Sequence, residues 1–173
     1  MPQTTVASQV EAALARSGGT VTSFLERLTR EPIDADVLGR RSARWQGTFE
    51  LPVDQGTSLL HRAVFLTGRR TGRRYVYAES TLIAQRLPLS VRSRLESTAE
   101  PIGRVLEDHG LRLERQPIDG RPVPGRTGSI VPEEVAVSVY SRRYRMVIDG
   151  DVVMLVAEWF LDELFKTLPS PTR

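Results

Sequence analysis

Apolar residues at Val6, Val10, Ala13 and Leu14 share one helical face, and Gly18-Gly19 ends the pattern, so a first helix is expected over about residues 6–15. A second, over about 23–30, is capped by Thr20 or Thr22, gathers Phe24, Leu25 and Leu28 on one face, and stops at Pro32. The pattern then becomes extended over about 43–53, 58–68 and 73–84, the last two joined by Gly68-Arg69-Arg70-Thr71-Gly72, which reads as a hairpin turn. Pro88 opens a helix to about Ser97, and Glu100-Pro101 opens another to about His109, ended by Gly110. Residues 111–115 read as a short strand. Residues 116–132, rich in proline and glycine, read as a long flexible loop of the kind that serves as a lid or an insertion. The chain closes with a hairpin, about 135–148 and 152–159, turned at Asp149-Gly150. A short helix over 160–168 follows, and the last five residues, 169–173, are expected to fray.

Clusters of strands with helices between them, and hairpins in place of parallel crossovers, predict an α+β fold with a mostly antiparallel sheet. A length of 173 residues suits one domain spanning residues 1–173. No apolar run reaches the ~18 residues of a membrane span, and the polar opening Met1-Pro2-Gln3-Thr4-Thr5 lacks a signal-peptide pattern, so a cytoplasmic protein that does not engage membranes is expected. The absence of cysteine excludes disulfides and thiolate chemistry, and two histidines, His61 and His109, argue against a multi-histidine metal site. All but one of the 24 basic residues are arginine, a bias that a GC-rich genome produces. The net charge of +3 is spread along the chain, which favours anionic small molecules and resembles neither a basic arm nor a recognition helix; no nucleic-acid partner is expected.

Two charges interrupt apolar faces. Alternation puts Arg62 in a row with Leu60, Val64 and Leu66, and puts Glu158 in a row with Val152, Met154, Val156 and Phe160. A buried unpaired charge is expensive, so each needs a partner. Either Arg62 and Glu158 neutralise each other or reach solvent at strand ends, or they line a closed pocket where Arg62 grips a carboxylate and Glu158 accepts a hydrogen bond from a ligand hydroxyl. Periodicity alone leaves these open.

Other charged residues weigh less. Arg143 and Arg145 alternate on one strand and could hold a second carboxylate, although such rows are commonly solvated. His61 faces away from Arg62, and His109 meets the dipole at a helix end without needing a catalytic role. Residues 68–72 lack the strand-to-helix setting of a phosphate loop. Trp45 and Trp159 read as core or sheet-face residues.

Three segments together resemble the chorismate lyase family, in particular its actinobacterial 4-hydroxybenzoate-forming branch. They are His61-Arg62-Ala63-Val64-Phe65-Leu66 with Tyr75-Val76-Tyr77-Ala78-Glu79-Ser80; Glu100-Pro101-Ile102-Gly103-Arg104-Val105-Leu106; and Arg142-Arg143-Tyr144-Arg145 leading into Val156-Ala157-Glu158-Trp159-Phe160-Leu161. Ala78-Glu79-Ser80 running into Arg86-Leu87-Pro88 also matches that branch. Order and spacing agree over about residues 18–166.

The resemblance implies a single antiparallel sheet of about six strands with helical flaps over a small site, and a lyase that removes pyruvate from chorismate without cofactor or metal. It places the carboxylate-binding arginine at Arg62 and the essential glutamate at Glu158. A carboxylate-contacting backbone falls at Ile102 and Gly103, and a flap over Gly19-Thr20-Val21-Thr22, with Val21 where some members have methionine. Other bacterial members carry Gly-Arg-Thr where this chain has Ala78-Glu79-Ser80, so a second basic contact is either missing or supplied by Arg143 or Arg145, with Arg145 the candidate carried forward. The alternative is a non-catalytic effector-binding domain of the same fold, as in some GntR-type regulators. Those carry a winged-helix domain, for which about 40 residues ahead of the first strand leave no room within this sequence.

Overall fold

Thr5 and Thr20 open the two N-terminal helices: their hydroxyls accept from Ser8 N at 3.3 Å and Ser23 N at 3.2 Å, satisfying donors that a helix start leaves unpaired. The helices are α1, Val6–Ser17, and α2, Val21–Thr29. A computed structural model of the chain describes residues 5–47 and 50–167, so the expectation for the final residues lies outside the described part.

Six strands follow: β1 (Ile33–Arg44), β2 (Ser58–Gly68), β3 (Arg74–Ile83), β4 (Leu113–Pro117), β5 (Tyr140–Ile148) and β6 (Asp151–Phe160). They form one sheet in the order β1-β2-β3-β6-β5-β4, every neighbouring pair antiparallel. Between β3 and β4 lie α3 (Leu89–Ser97) and α4 (Ile102–Asp108), opened by Pro88 and Pro101, and a single turn, α5 (Asp162–Phe165), follows β6. Among the described residues no helix is long and apolar enough to cross a membrane.

The hairpin turns obey local chemistry. At Asp149-Gly150 both residues have positive φ, 50° and 87°, the handedness a tight antiparallel turn requires. Between β2 and β3 the turn is tied down by buried Glu31, which accepts from the backbone N–H groups of Arg70 and Thr71 and from the hydroxyls of Thr71 and Tyr75. Those hydrogen bonds hold its carboxyl below the usual range against the upward pull of burial.

Several expectations are corrected. The first strand is Ile33–Arg44, not 43–53, because Pro32 ends the helical region and extended chain begins at once. Residues 116 and 117 belong to β4, and a 3-10 turn at Glu133–Val137 delays β5 to Tyr140. The closing helix, expected over 160–168, is one turn only. Val152 does not share the face of Glu158: the register slips beside Val153, sending Val152 to the cluster of Leu51, Leu59 and Ile83 on the other side.

The sheet has two different faces. One is covered by the helices and carries two apolar clusters, one built on Phe24, Leu25, Val64, Leu66 and Phe160, the other on Leu82, Leu95, Leu106, Met146 and Met154. The other face, with Phe65, Tyr77 and Trp159, lies under the loop after β4, as Val135 packs into its cluster and Gly125 N donates to buried Glu79 at 2.6 Å. Arg41 adds a hydrogen bond from Nη2 to Thr127 O at 3.0 Å, and Arg143 Nη2 donates to Asp119 O at 2.7 Å, so this loop is pinned to the sheet at several points.

Candidate active site

Where the two helix-side clusters meet, the sheet and the starts of α2 and α4 border a small cavity of about 60 Å3. Thr20, Val21 and Thr22 roof it with Ile102 and Gly103; Val64, Leu66, Ala78, Ser80, Tyr144, Met146 and Val156 form its floor, and Glu158 and Arg115 supply charge. The roof is tied together, since Thr20 donates from Oγ1 to Glu107 Oε1 at 2.8 Å. It is also tight: a Cβ on Gly103 would lie 2.6 Å from the Thr20 Cβ, so only glycine lets α4 approach α2 this closely.

Arg62 is 1% exposed. Its Nη2 donates to Glu100 O at 2.6 Å and to Thr98 O at 3.4 Å, while Nε and Nη1 have no partner among the described residues. It is not itself part of the cavity wall; it stands beside it, paired in register with Ser80, which is. Burial, assisted by Arg40 and opposed by Glu100, pushes its pKa down to about 10. The guanidinium therefore remains charged at neutral pH with two donors unused.

Glu158, 4% exposed, does not pair with Arg62. Its Oε2 accepts from Arg142 Nε at 2.7 Å and its Oε1 from the Tyr144 hydroxyl at 2.8 Å. Burial disfavours the Arg142 charge, but Glu158 outweighs it and raises the guanidinium pKa, while burial and then Glu158 push the Tyr144 phenol up. The geometry explains the separation. Arg62 and Glu158 sit on either side of β3 and two residues out of register, since Arg62 faces Ser80 and Glu158 faces Ala78. With strands ~4.8 Å apart and residues ~3.4 Å along them, the Cα atoms are about 12 Å apart, too far for a direct ion pair given that each side chain is engaged elsewhere.

Sequence reasoning missed three residues here. Arg142 and Tyr144 share the Glu158 face, and Glu158 is the direct cross-strand neighbour of Arg142; the alternation was visible, but the register was not. Arg115 lies on the short edge strand β4, where a polar pattern gave no sign of burial, yet its Nε is buried without a partner among the described residues. The place suggested for Arg145 is corrected. Both Arg143 and Arg145 point to the opposite face, where Arg143 meets Glu50 Oε1 at 2.5 Å and Arg145 Nε donates to Glu50 O at 2.7 Å. Residues 143 and 145 alternate against 142 and 144, so neither reaches the cavity.

The histidines lie elsewhere. His61 faces away from the cavity with Nδ1 2.9 Å from Thr81 Oγ1, its pKa lowered by burial and by Arg41. His109 ends α4, its Nδ1 2.8 Å from Val105 O. Among the described residues no three acidic or histidine side chains converge as metal ligands would.

Known proteins resemble this one in sequence and in fold. The chorismate pyruvate-lyase of Mycobacterium leprae is 26% identical over 161 residues, which cover 90% of this chain and 76% of that protein. The chorismate pyruvate-lyase of Mycobacterium tuberculosis H37Rv is 29% identical over 113 residues, so the match spans 64% of this chain and only 57% of that relative. In three dimensions the effector domain of PhnF from Mycobacterium smegmatis superposes with a TM-score of 0.53 at 17% identity, covering 84% of this chain and 90% of that domain. That likeness is one of fold. The family described as chorismate pyruvate-lyase Rv2949c-like matches residues 16–168, and the chain belongs to it.

Proposed function

We propose that this protein converts chorismate to 4-hydroxybenzoate and pyruvate without a cofactor; its relatives are named chorismate pyruvate-lyases. The observation that carries the proposal is a pair of unlike charges about one cavity. A buried guanidinium with two donors unused among the described residues stands beside the wall at Ser80, and a carboxylate already neutralised by Arg142 lines the cavity itself. A ring bearing a carboxylate and, opposite it, a hydroxyl meets both requirements.

Arg62 anchors the ring carboxylate through one of its unpaired donors, helped by the backbone at Ile102 and Gly103, where the first N–H groups of a helix lack internal acceptors. Glu158 receives the 4-hydroxyl: a carboxylate offers about four lone-pair positions, and Tyr144 and Arg142 occupy only two. Val21 and Thr22 close the roof against water.

In the reaction a proton leaves C4, its electron pair becomes the C3–C4 π bond, and the C3–O bond to the enolpyruvyl group breaks. The enolpyruvate released takes a proton at its methylene carbon and becomes pyruvate. Atoms and electrons balance without an external oxidant, and aromatisation drives the step. The protein contributes positioning and electrostatic complementarity, the terms expected to dominate when the substrate carries its own driving force.

The test is incubation of purified protein with chorismate and excess EDTA, with products separated by chromatography. Equimolar 4-hydroxybenzoate and pyruvate are expected. A protein that is stabilised by these ligands but releases no product would be a binding domain, in keeping with the fold it shares with the PhnF effector domain.

A further inference from the structure

Chorismate carries two carboxylates and 4-hydroxybenzoate only one. If Arg62 holds the carboxylate common to both, the second must meet another cation, and the arginines close to the cavity differ in how far they are already engaged. Arg142 is committed to Glu158. Arg143 and Arg145 lie on the opposite face of the sheet with Glu50. Arg115 remains: it lines the cavity, makes no ion pair among the described residues, and keeps a buried Nε without a partner.

Its surroundings suit the role. Arg115 is held across from Met146 in the β4–β5 ladder, and its guanidinium lies 5.6 Å from the ring centroid of Tyr144, whose hydroxyl bonds Glu158. It therefore stands at the Glu158 end of the cavity. In chorismate the enolpyruvyl ether at C3 is the immediate neighbour of the 4-hydroxyl, so a substrate placed with its hydroxyl on Glu158 turns the enolpyruvyl carboxylate toward that same end. Arg115 and Tyr144 also line the open groove outside, formed with Gly18, Gly19 and Asp119. A guanidinium shared by cavity and groove stands at the doorway.

We propose that Arg115 is the anchor for the enolpyruvyl carboxylate and the residue by which the site distinguishes its dicarboxylate substrate from its monocarboxylate product. This rests on the chorismate reading above. Once the C3–O bond breaks, the charge that Arg115 holds belongs to the departing three-carbon acid, which then lies beside the open groove, while the aromatic product stays on Arg62 and Glu158.

The test compares two stable ligands, 4-hydroxybenzoate and 3-(carboxymethoxy)-4-hydroxybenzoate, a dicarboxylate that cannot eliminate, binding to the parent, Arg115→Gln and Arg115→Lys by calorimetry. Arg115→Gln is expected to weaken the dicarboxylate at least tenfold and 4-hydroxybenzoate less than twofold, with Arg115→Lys recovering part of the loss. KM for chorismate should rise in parallel while kcat falls less. Unchanged 4-hydroxybenzoate affinity also shows that the variant is folded. Equal weakening of both ligands, or of neither, overturns the assignment. A parent that shows the binding contrast but makes no 4-hydroxybenzoate keeps Arg115 as a carboxylate anchor and removes the catalytic reading instead.

Discussion

Glu158 is the residue at which stability and chemistry are most tightly joined. Glu158→Gln preserves shape and an acceptor for Tyr144 but removes the charge that Arg142 answers, and the Arg142 side chain is 22% exposed, so it recovers only part of its hydration. Leaving a partly buried charge without its partner costs about 1–3 kcal/mol, or roughly 3–10 °C in melting temperature for a domain of this size. Turnover should fall by at least a hundredfold, because the hydroxyl of the substrate loses a charged acceptor. Thermal melts and steady-state kinetics check both; a variant with full turnover would remove Glu158 from the site. Arg62 makes a different prediction. Burial pushes its pKa down to about 10, below the ordinary guanidinium range, so the folded protein holds a strained charge at neutral pH, and that strain is relieved as pH rises through about 10 toward the ordinary value. Anion binding depends on the same charge and should be lost over the pH range that relieves the strain. Benzoate, whose carboxyl titrates far below this range, should bind roughly threefold or more weakly at pH 10.5 than at pH 8.5. A flat profile would mean that the anchoring group keeps its charge above pH 10, and Arg62→Gln would then show whether that group is Arg62.

Among the elements, the middle of the loop between β4 and β5 can have its anchoring changed without touching the cavity, because the contacts of Gly125 and Thr127 lie on the opposite sheet face. Buried Glu79 accepts from Gly125 N at 2.6 Å and from the Tyr77 hydroxyl at 2.8 Å through one oxygen, and burial followed by Glu79 raises the Tyr77 phenol pKa. Glu79→Ala strands both donors and should destabilise by about 1–3 kcal/mol. Hydrogen exchange should quicken at Gly125 and its neighbours while chorismate turnover stays within a few-fold of the parent. Slow exchange at Gly125 in that variant would mean that the remaining contacts, those of Arg41, Arg74 and Arg143 among them, hold the loop. The same elements show what the sequence could reveal. The strands β2 and β3 were legible because alternation and a glycine-flanked turn agree. The strand β1 was not, since Asp34, Asp36, Arg40 and Arg41 lie on an edge, and its alternating apolar row is short, Ile33, Ala35 and Val37, with Leu38 out of phase and exposed. In the site, Arg62 and Glu158 stood out as charges in apolar rows. Their partners did not, because pairing Arg142 with Glu158 depends on cross-strand register, and the exposure of Arg115 depends on which strand takes the sheet edge.

At the scale of the whole molecule, one sheet separates two environments, and the candidate site lies on the side roofed by α2 and α4. A ligand there touches the roof and the floor together, so its binding energy opposes global unfolding, and stabilisation follows RT ln(1 + [L]/Kd), about 2.7 kcal/mol at a hundredfold excess over Kd. For a chain of 173 residues that corresponds to a rise of about 5–10 °C. The product 4-hydroxybenzoate should reach this shift and should also inhibit turnover, since Arg62 and Glu158 hold its two ends as they hold the substrate. Benzoate keeps the carboxylate and loses the hydroxyl. If Glu158 reads the hydroxyl, benzoate at the same concentration should raise the melting temperature by less than half as much, and in Glu158→Gln the two ligands should converge. Melting curves of parent and variant with each ligand make the comparison directly. Equal shifts in the parent would mean that the carboxylate end alone binds, leaving Arg62 as the anchor and Glu158 as a structural partner of Arg142 and Tyr144.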